Sequence, residues 1–67
     1  MKLIDFGINL AKERQKLGIS AYELSLRIGK DASYINKVEN GKINISLKTI
    51  IDICNELNIS ISKLVKD

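Results

Sequence analysis

SAYELSLRIGKDASYINKVENG, residues 20–41, carries two helix starts, each followed by a glycine stop. Ser20 is a good helix N-cap, and Glu23 follows three residues later. At that spacing the hydroxyl and the carboxylate each satisfy a backbone N–H group at the helix start. Leu24 and Ile28 then fall four apart on one face, flanked by Tyr22 and Ser25. Gly29 ends this helix, since glycine alone enters the left-handed conformation without steric cost. Asp31 is placed to cap a second helix from Ala32 to about Asn40, with Ile35 and Val38 inward and Gly41 closing it. The pattern is two short helices joined by a tight turn.

Upstream, residues 1–5 read as a loose lead-in with Asp5 as N-cap, followed by a helix over about 6–17. Phe6, Leu10, Arg14 and Leu17 recur near the helical period, with Ala11 alongside, so an arginine stands on the inward stripe. Gly18 stops that helix, and Ile19 is placed to act as a hydrophobic staple for the next. Downstream, Lys42 to Ile45 read as an extended connection and Ser46 caps a helix over about 47–57. Its apolar stripe reads as Leu47, Ile50, Ile51, Cys54 and Leu57, with Ile53 off to one side. Asn58 ends it in the left-handed conformation, and Ser60 or Ser62 caps a last helix over about 61–66. The expectation is an all-α, five-helix architecture in one domain spanning residues 1–67.

Composition bounds function only loosely. Hydrophobic residues make up 45% and charged residues 28%, which suits a folded globular chain. A formal net charge of +3 is compatible with nucleic acid and equally with an ordinary solubilising surface. With one cysteine and no histidine, neither an internal disulfide nor a zinc site can be assembled, and no cofactor is expected. Cys54, on an apolar stripe, reads as a small buried hydrophobe rather than a nucleophile. The chain has no clustered carboxylate pair and no glycine-rich phosphate loop, so an enzyme is not expected. Its apolar runs are too short to span a bilayer, and Lys2-Leu3-Ile4-Asp5 does not read as a signal peptide; a cytoplasmic protein without a membrane partner is the expectation.

The chain resembles the phage repressor and Cro (XRE) family of helix-turn-helix domains. The resemblance is carried by Ile19-Ser20, Glu23-Leu24, Gly29, Ser33-Tyr34-Ile35, Lys37-Val38 and Glu39-Asn40-Gly41-Lys42, and extends from about Phe6 to Val65. It implies that the third helix enters the major groove of double-stranded DNA. By the same likeness Ala32, Ser33 and Lys37 occupy the usual base-reading positions, with Asn36 beside them. Their chemistry suits base edges: Asn36 with adenine, Lys37 with guanine acceptors, Ser33 as donor or acceptor, Ala32 against a thymine methyl. Phosphate contacts are expected from Ser20 and the backbone N–H groups of Ala21 and Tyr22, from Lys30 in the turn, and from Tyr34, Asn40 and Lys42. Tyr34 alternatively packs its ring against the second helix with its hydroxyl in water.

In the resembling family an arginine at the place of Arg14 pairs with the glutamate before Asn-Gly, here Glu39; the plain alternative is an exposed arginine without a fixed partner. Four positions depart from the family pattern. Ala21 stands where a phosphate-gripping glutamine is usual, Ser25 where alanine is common, and Ala32 and Ser33 are shorter than the glutamines or arginines often found there. Ser25 is tolerated where its hydroxyl finds a carbonyl.

The function this implies is a sequence-specific DNA-binding transcriptional regulator, with a homodimer expected on a palindromic operator. Ile59, Ile61, Leu64 and Val65 are more apolar residues than a short last helix needs for anchoring, and make the candidate dimer interface. The competing reading is a protein-interaction module of the same fold, such as an antitoxin, antirepressor or adaptor, motivated by Ala21, Ala32 and the small charge excess. No segment reads as a small-molecule sensor. Within regulators, Asn44-Ile45-Ser46-Leu47 and Ile53-Cys54 are similar to the stand-alone controller proteins of restriction–modification systems.

Overall fold

A computed structural model describes all 67 residues. It contains four α-helices, α1 (Leu3–Lys16), α2 (Ala21–Arg27), α3 (Tyr34–Glu39) and α4 (Leu47–Leu57), then a single 3-10 turn at Ile61–Lys63. The chain is all-α, with four helices where five were expected. Nine side chains form the core: Phe6, Leu10, Leu24, Ile35, Val38, Ile53, Cys54, Leu57 and Leu64. Every helix and the C-terminal segment contribute at least one of them.

α1 begins at Leu3, so the lead-in assigned to residues 1–5 is already helical from that point. Asp5 is not its N-cap. It lies in the first turn, where its Oδ2 accepts the Lys2 backbone N–H at 2.7 Å. That bond satisfies a helix-start donor and carries the helix upstream of the first buried side chain. Phe6 and Leu10 are buried as their spacing predicts, but Leu17 is exposed. Gly7 shares the buried face. A methyl group built there would stand 2.4 Å from the Glu39 carbonyl oxygen and 2.7 Å from that of Val38, so glycine is what lets α1 lie directly on the end of α3. Gly41 makes the reciprocal approach at φ 68°, where an added Cβ would come within 3.0 Å of the Ile4 backbone.

α3 is shorter than the sequence pattern suggests. Asp31 Oδ1 accepts both the Ser33 backbone N–H at 3.0 Å and the Ser33 hydroxyl at 2.8 Å. The Tyr34 N–H turns back to the Asp31 carbonyl at 3.1 Å. These bonds hold Asp31–Tyr34 as a turn, and Ala32 and Ser33 therefore precede the helix that was expected to contain them.

The face of α4 also differs. Ile53 is fully buried, whereas Leu47 is 63% and Ile51 48% exposed; Thr49, Ile53, Cys54 and Leu57 form the buried side. The helix carries enough apolar residues for two overlapping stripes, and the one containing Ile53 faces α2 and the core. Ser46 caps it by accepting the Thr49 N–H at 3.2 Å, and Asn58 closes it at φ 54°.

The expected helix over 61–66 is only the 3-10 turn Ile61–Lys63. The side-chain amide of Asn9 on α1 donates to the carbonyls of Leu64 at 2.9 Å and Lys66 at 2.7 Å. These bonds tie the C-terminal tail to α1, and Leu64 fills the core.

Candidate nucleic-acid interface

Two locks fix α3 against the rest of the chain. The first is Ser25, fully buried where α2 crosses α3. Its hydroxyl donates to the Ala21 carbonyl at 2.8 Å and accepts the Ile35 backbone N–H at 2.9 Å. One hydroxyl thus satisfies a carbonyl of α2 and an early donor of α3, which alanine cannot do. The second is Arg14. Its Nε and Nη2 donate to the two Glu39 carboxylate oxygens at 2.7 and 2.9 Å, and its Nη1 donates to the Ile19 carbonyl at 2.8 Å. This fork ties the last residue of α3 to α1 and to the segment entering α2. The Glu39 carboxylate drives the guanidinium's pKa further up, against the opposing effect of burial.

With Ile35 and Val38 committed to the core, the outer side of this unit carries Ala32, Ser33, Asn36 and Lys37, all exposed. Asn36 is engaged by Asn40. The Asn40 amide nitrogen donates to the Asn36 carbonyl at 2.7 Å and lies 3.3 Å from the Asn36 Oδ1. Ser33 is held by Asp31, whose carboxyl sits below its ordinary pKa because the Ser33 hydroxyl and backbone N–H both donate to it, with Lys37 adding attraction.

Around this row stand Lys30, Lys37 and Lys42, none within salt-bridge distance of a carboxylate. The acidic groups nearby are largely spent: Glu23 pairs with Arg27, and Glu39 with Arg14. Lys30 lies over the half-buried Tyr34 ring at 5.2 Å, which anchors that ring beside the turn. The Ser20 oxygen accepts the Glu23 N–H at 3.0 Å, so its own hydrogen is free to donate outward. Ala21 is half-buried against the core, while Tyr22 and Asn40 are exposed.

The candidate dimer residues are not equivalent. Leu64 is wholly inside the core and presents nothing to a partner. Ile59 is half-buried, and only Ile61 and Val65 are exposed, at 42% and 45%. Leu47 and Ile51 of α4 are exposed apolar residues that the sequence pattern had assigned to the interior. No cluster of potential metal ligands is present, and no helix is long and apolar enough to cross a membrane.

Several positioning residues escaped the sequence reading. Asn9 carries no pattern that would announce it. Gly7, a glycine inside a helix, was a signal for close packing. The Asp31–Ser33 pair was visible as an aspartate near a helix start, but the reading made it a cap for α3 itself.

The family model described as helix-turn-helix matches residues 10–64. The control protein C.MunI of Mycoplasma sp is 37% identical over 65 residues, covering 96% of this chain and 88% of its own. Among solved structures, the restriction-modification controller protein C.AhdI of Aeromonas hydrophila superimposes with a TM-score of 0.86 at 35% identity, covering 92% of this chain and 90% of its own. SinR, a master regulator for biofilm formation solved in complex with DNA, superimposes with a TM-score of 0.80 at 26% identity, over 91% of this chain and 98% of its own.

Proposed function

The chain belongs to the XRE-type helix-turn-helix family, and on that footing we propose that it is a DNA-binding transcriptional regulator that reads operator DNA with α3 and the turn before it. The observation that carries this reading is the outward row of Ala32, Ser33, Asn36 and Lys37 on a unit locked from behind by Ser25 and by the Arg14–Glu39 fork. Lys30, Lys37 and Lys42 supply cations not consumed by carboxylates, which is what phosphate neutralisation requires. Ser20, the backbone of Ala21 and Tyr22, and Tyr34 complete the phosphate-facing set, whereas Asn40, expected there from the resemblance, turns its amide NH2 to Asn36.

The regulator acts as a homodimer, each copy reading one half-site. Ile61 and Val65 supply apolar surface for that contact, with Leu47 and Ile51 as further exposed apolar residues, and Leu64 supports it from within. The two controller relatives favour a role as a stand-alone controller of restriction–modification genes. No cofactor enters this account, and catalysis has no place in it.

The test is affinity for duplex DNA as a function of salt. A steep fall in log K with log salt is expected, and Lys42→Ala should lower the slope by about 0.9. Asn36→Ala with Lys37→Ala should abolish preference for a specific site. A folded protein with no salt-dependent duplex affinity would move the reading to a protein-interaction module.

A further inference from the structure

The exposed hydrogen-bonding groups before and along α3 are not free to serve as either donor or acceptor. Asp31 and Asn40 decide which role each one plays. The Ser33 hydroxyl lies 2.8 Å from Asp31 Oδ1, and an ionised carboxylate only accepts. The serine hydrogen is therefore directed inward, and Oγ presents lone pairs to the surface.

The same reasoning fixes the two amides. The Asn36 main-chain carbonyl can only accept, so the Asn40 side-chain atom 2.7 Å from it is the NH2 group. That NH2 group also lies 3.3 Å from the end of the Asn36 side chain, which must there present oxygen. The NH2 of Asn36 is left to face outward. Lys37, next along the chain, has donors only.

We infer that Asp31 and Asn40 polarise the reading surface, making Ser33 an acceptor for an exocyclic amino group in the major groove and Asn36 a donor to base carbonyl or ring-nitrogen acceptors. Ser33 then selects the edge bearing adenine N6 or cytosine N4, and Asn36 the edge bearing guanine O6 or N7, thymine O4 or adenine N7. Asp31 and Asn40 act as positioning residues for specificity. The ordinary two-pronged amide–adenine pairing, which needs the amide oxygen to accept N6–H, is displaced at Asn36 by a donor-only contact. Hydrogen bonds to a charged partner are the stronger ones, so binding to DNA does not readily turn the Ser33 hydroxyl round.

This rests on the DNA-binding reading above. The experiment starts from the site recovered by selection from random duplexes. Repeating the selection with Ser33→Ala and Asn36→Ala assigns the base pair each residue reads, as the one whose preference is lost. Duplexes are then made in which the major-groove amino group of each assigned pair is deleted, with purine for adenine or 2-pyrimidinone for cytosine. Deletion at the Ser33 pair should weaken wild-type binding about three- to tenfold. Deletion at the Asn36 pair should change it by less than about twofold.

Asp31→Ala frees the Ser33 hydroxyl to donate as well as accept, so the preference for the amino-bearing pair over one presenting a carbonyl at the same edge should fall, and Asp31→Asn, which keeps an accepting oxygen, should restore it. A purely structural role for Asp31 instead lowers affinity for both duplexes alike and leaves that preference unchanged. A cost at the Asn36 pair, no cost at the Ser33 pair, or an unchanged amino-over-carbonyl preference in Asp31→Ala overturns the inference while leaving the regulator reading intact. A Ser33→Ala selection identical to wild type overturns it too. No enriched site for the folded wild type overturns both readings together.

Discussion

Replacing Arg14 with alanine should come close to unfolding the protein. The Arg14 and Glu39 side chains are 12% and 11% exposed, and the guanidinium makes three hydrogen bonds, two to the carboxylate and one to the Ile19 carbonyl. Alanine removes all three and leaves the carboxylate unpaired in a poorly hydrated site, a loss of about 3–5 kcal/mol. A chain of this length has a total stability of roughly 3–10 kcal/mol. The midpoint of thermal unfolding should therefore fall by more than about 12 °C. Glu39→Ala strands the guanidinium instead and should cost a similar amount. A double variant, Arg14→Met with Glu39→Leu, removes both charges and fills the space with apolar atoms, and should cost far less than the two single changes added. Urea unfolding followed by far-UV circular dichroism measures all four proteins. A loss below about 1 kcal/mol for Arg14→Ala, or strictly additive single changes, would refute the view that this fork holds α3 in place.

Other expectations follow from the same geometry. Gly7→Ala should destabilise the fold by several kcal/mol, because its methyl group would lie 2.4 Å from the Glu39 carbonyl; chemical denaturation reads this directly. Ser25→Ala should cost about 1–3 kcal/mol, since it leaves the Ile35 N–H without a partner. It should also weaken site-specific binding more than non-specific binding in a filter or anisotropy assay. The Glu13 carboxyl is held below its ordinary value of 4.5, first by the hydrogen bond from Lys16 and then by the charges of Lys16, Lys63 and Lys66, against burial. Asp31 likewise lies below its ordinary 3.8. In both cases the unfolded chain takes up the proton first, so their stabilisation is present above these values and is lost as pH falls through them. Urea midpoints should drop as pH falls below the ordinary carboxylate values of 4.5 and 3.8, and Glu13→Gln should flatten that decline. Burial raises the Cys54 thiol pKa, so iodoacetamide should label it only in denaturant.

Where the fold was legible in the sequence, the signal was punctuation. Ser20, Ser46 and Asn58 cap or close helices through local bonds that their own chemistry dictates, and Gly41 takes the left-handed turn beside α3. What was not legible depended on partners distant in the chain. The Asn9 amide ties down the C-terminal tail from more than fifty residues away, and no local signal announces it. The choice between two apolar stripes on α4 is likewise made by the neighbours that receive Ile53. On the outward side of α3 and the turn before it, residue types were visible but hydrogen-bond directions were not. Asp31 and Asn40 impose those directions only once the turn and α3 have formed.

Selection of binding sites from random duplex DNA at near-physiological salt decides whether α3 and its turn recognise an operator. The expected result is a palindrome whose half-sites lie about one helical turn apart, lost when Asn36 and Lys37 are both changed to alanine. A folded protein that enriches no sequence would contradict it.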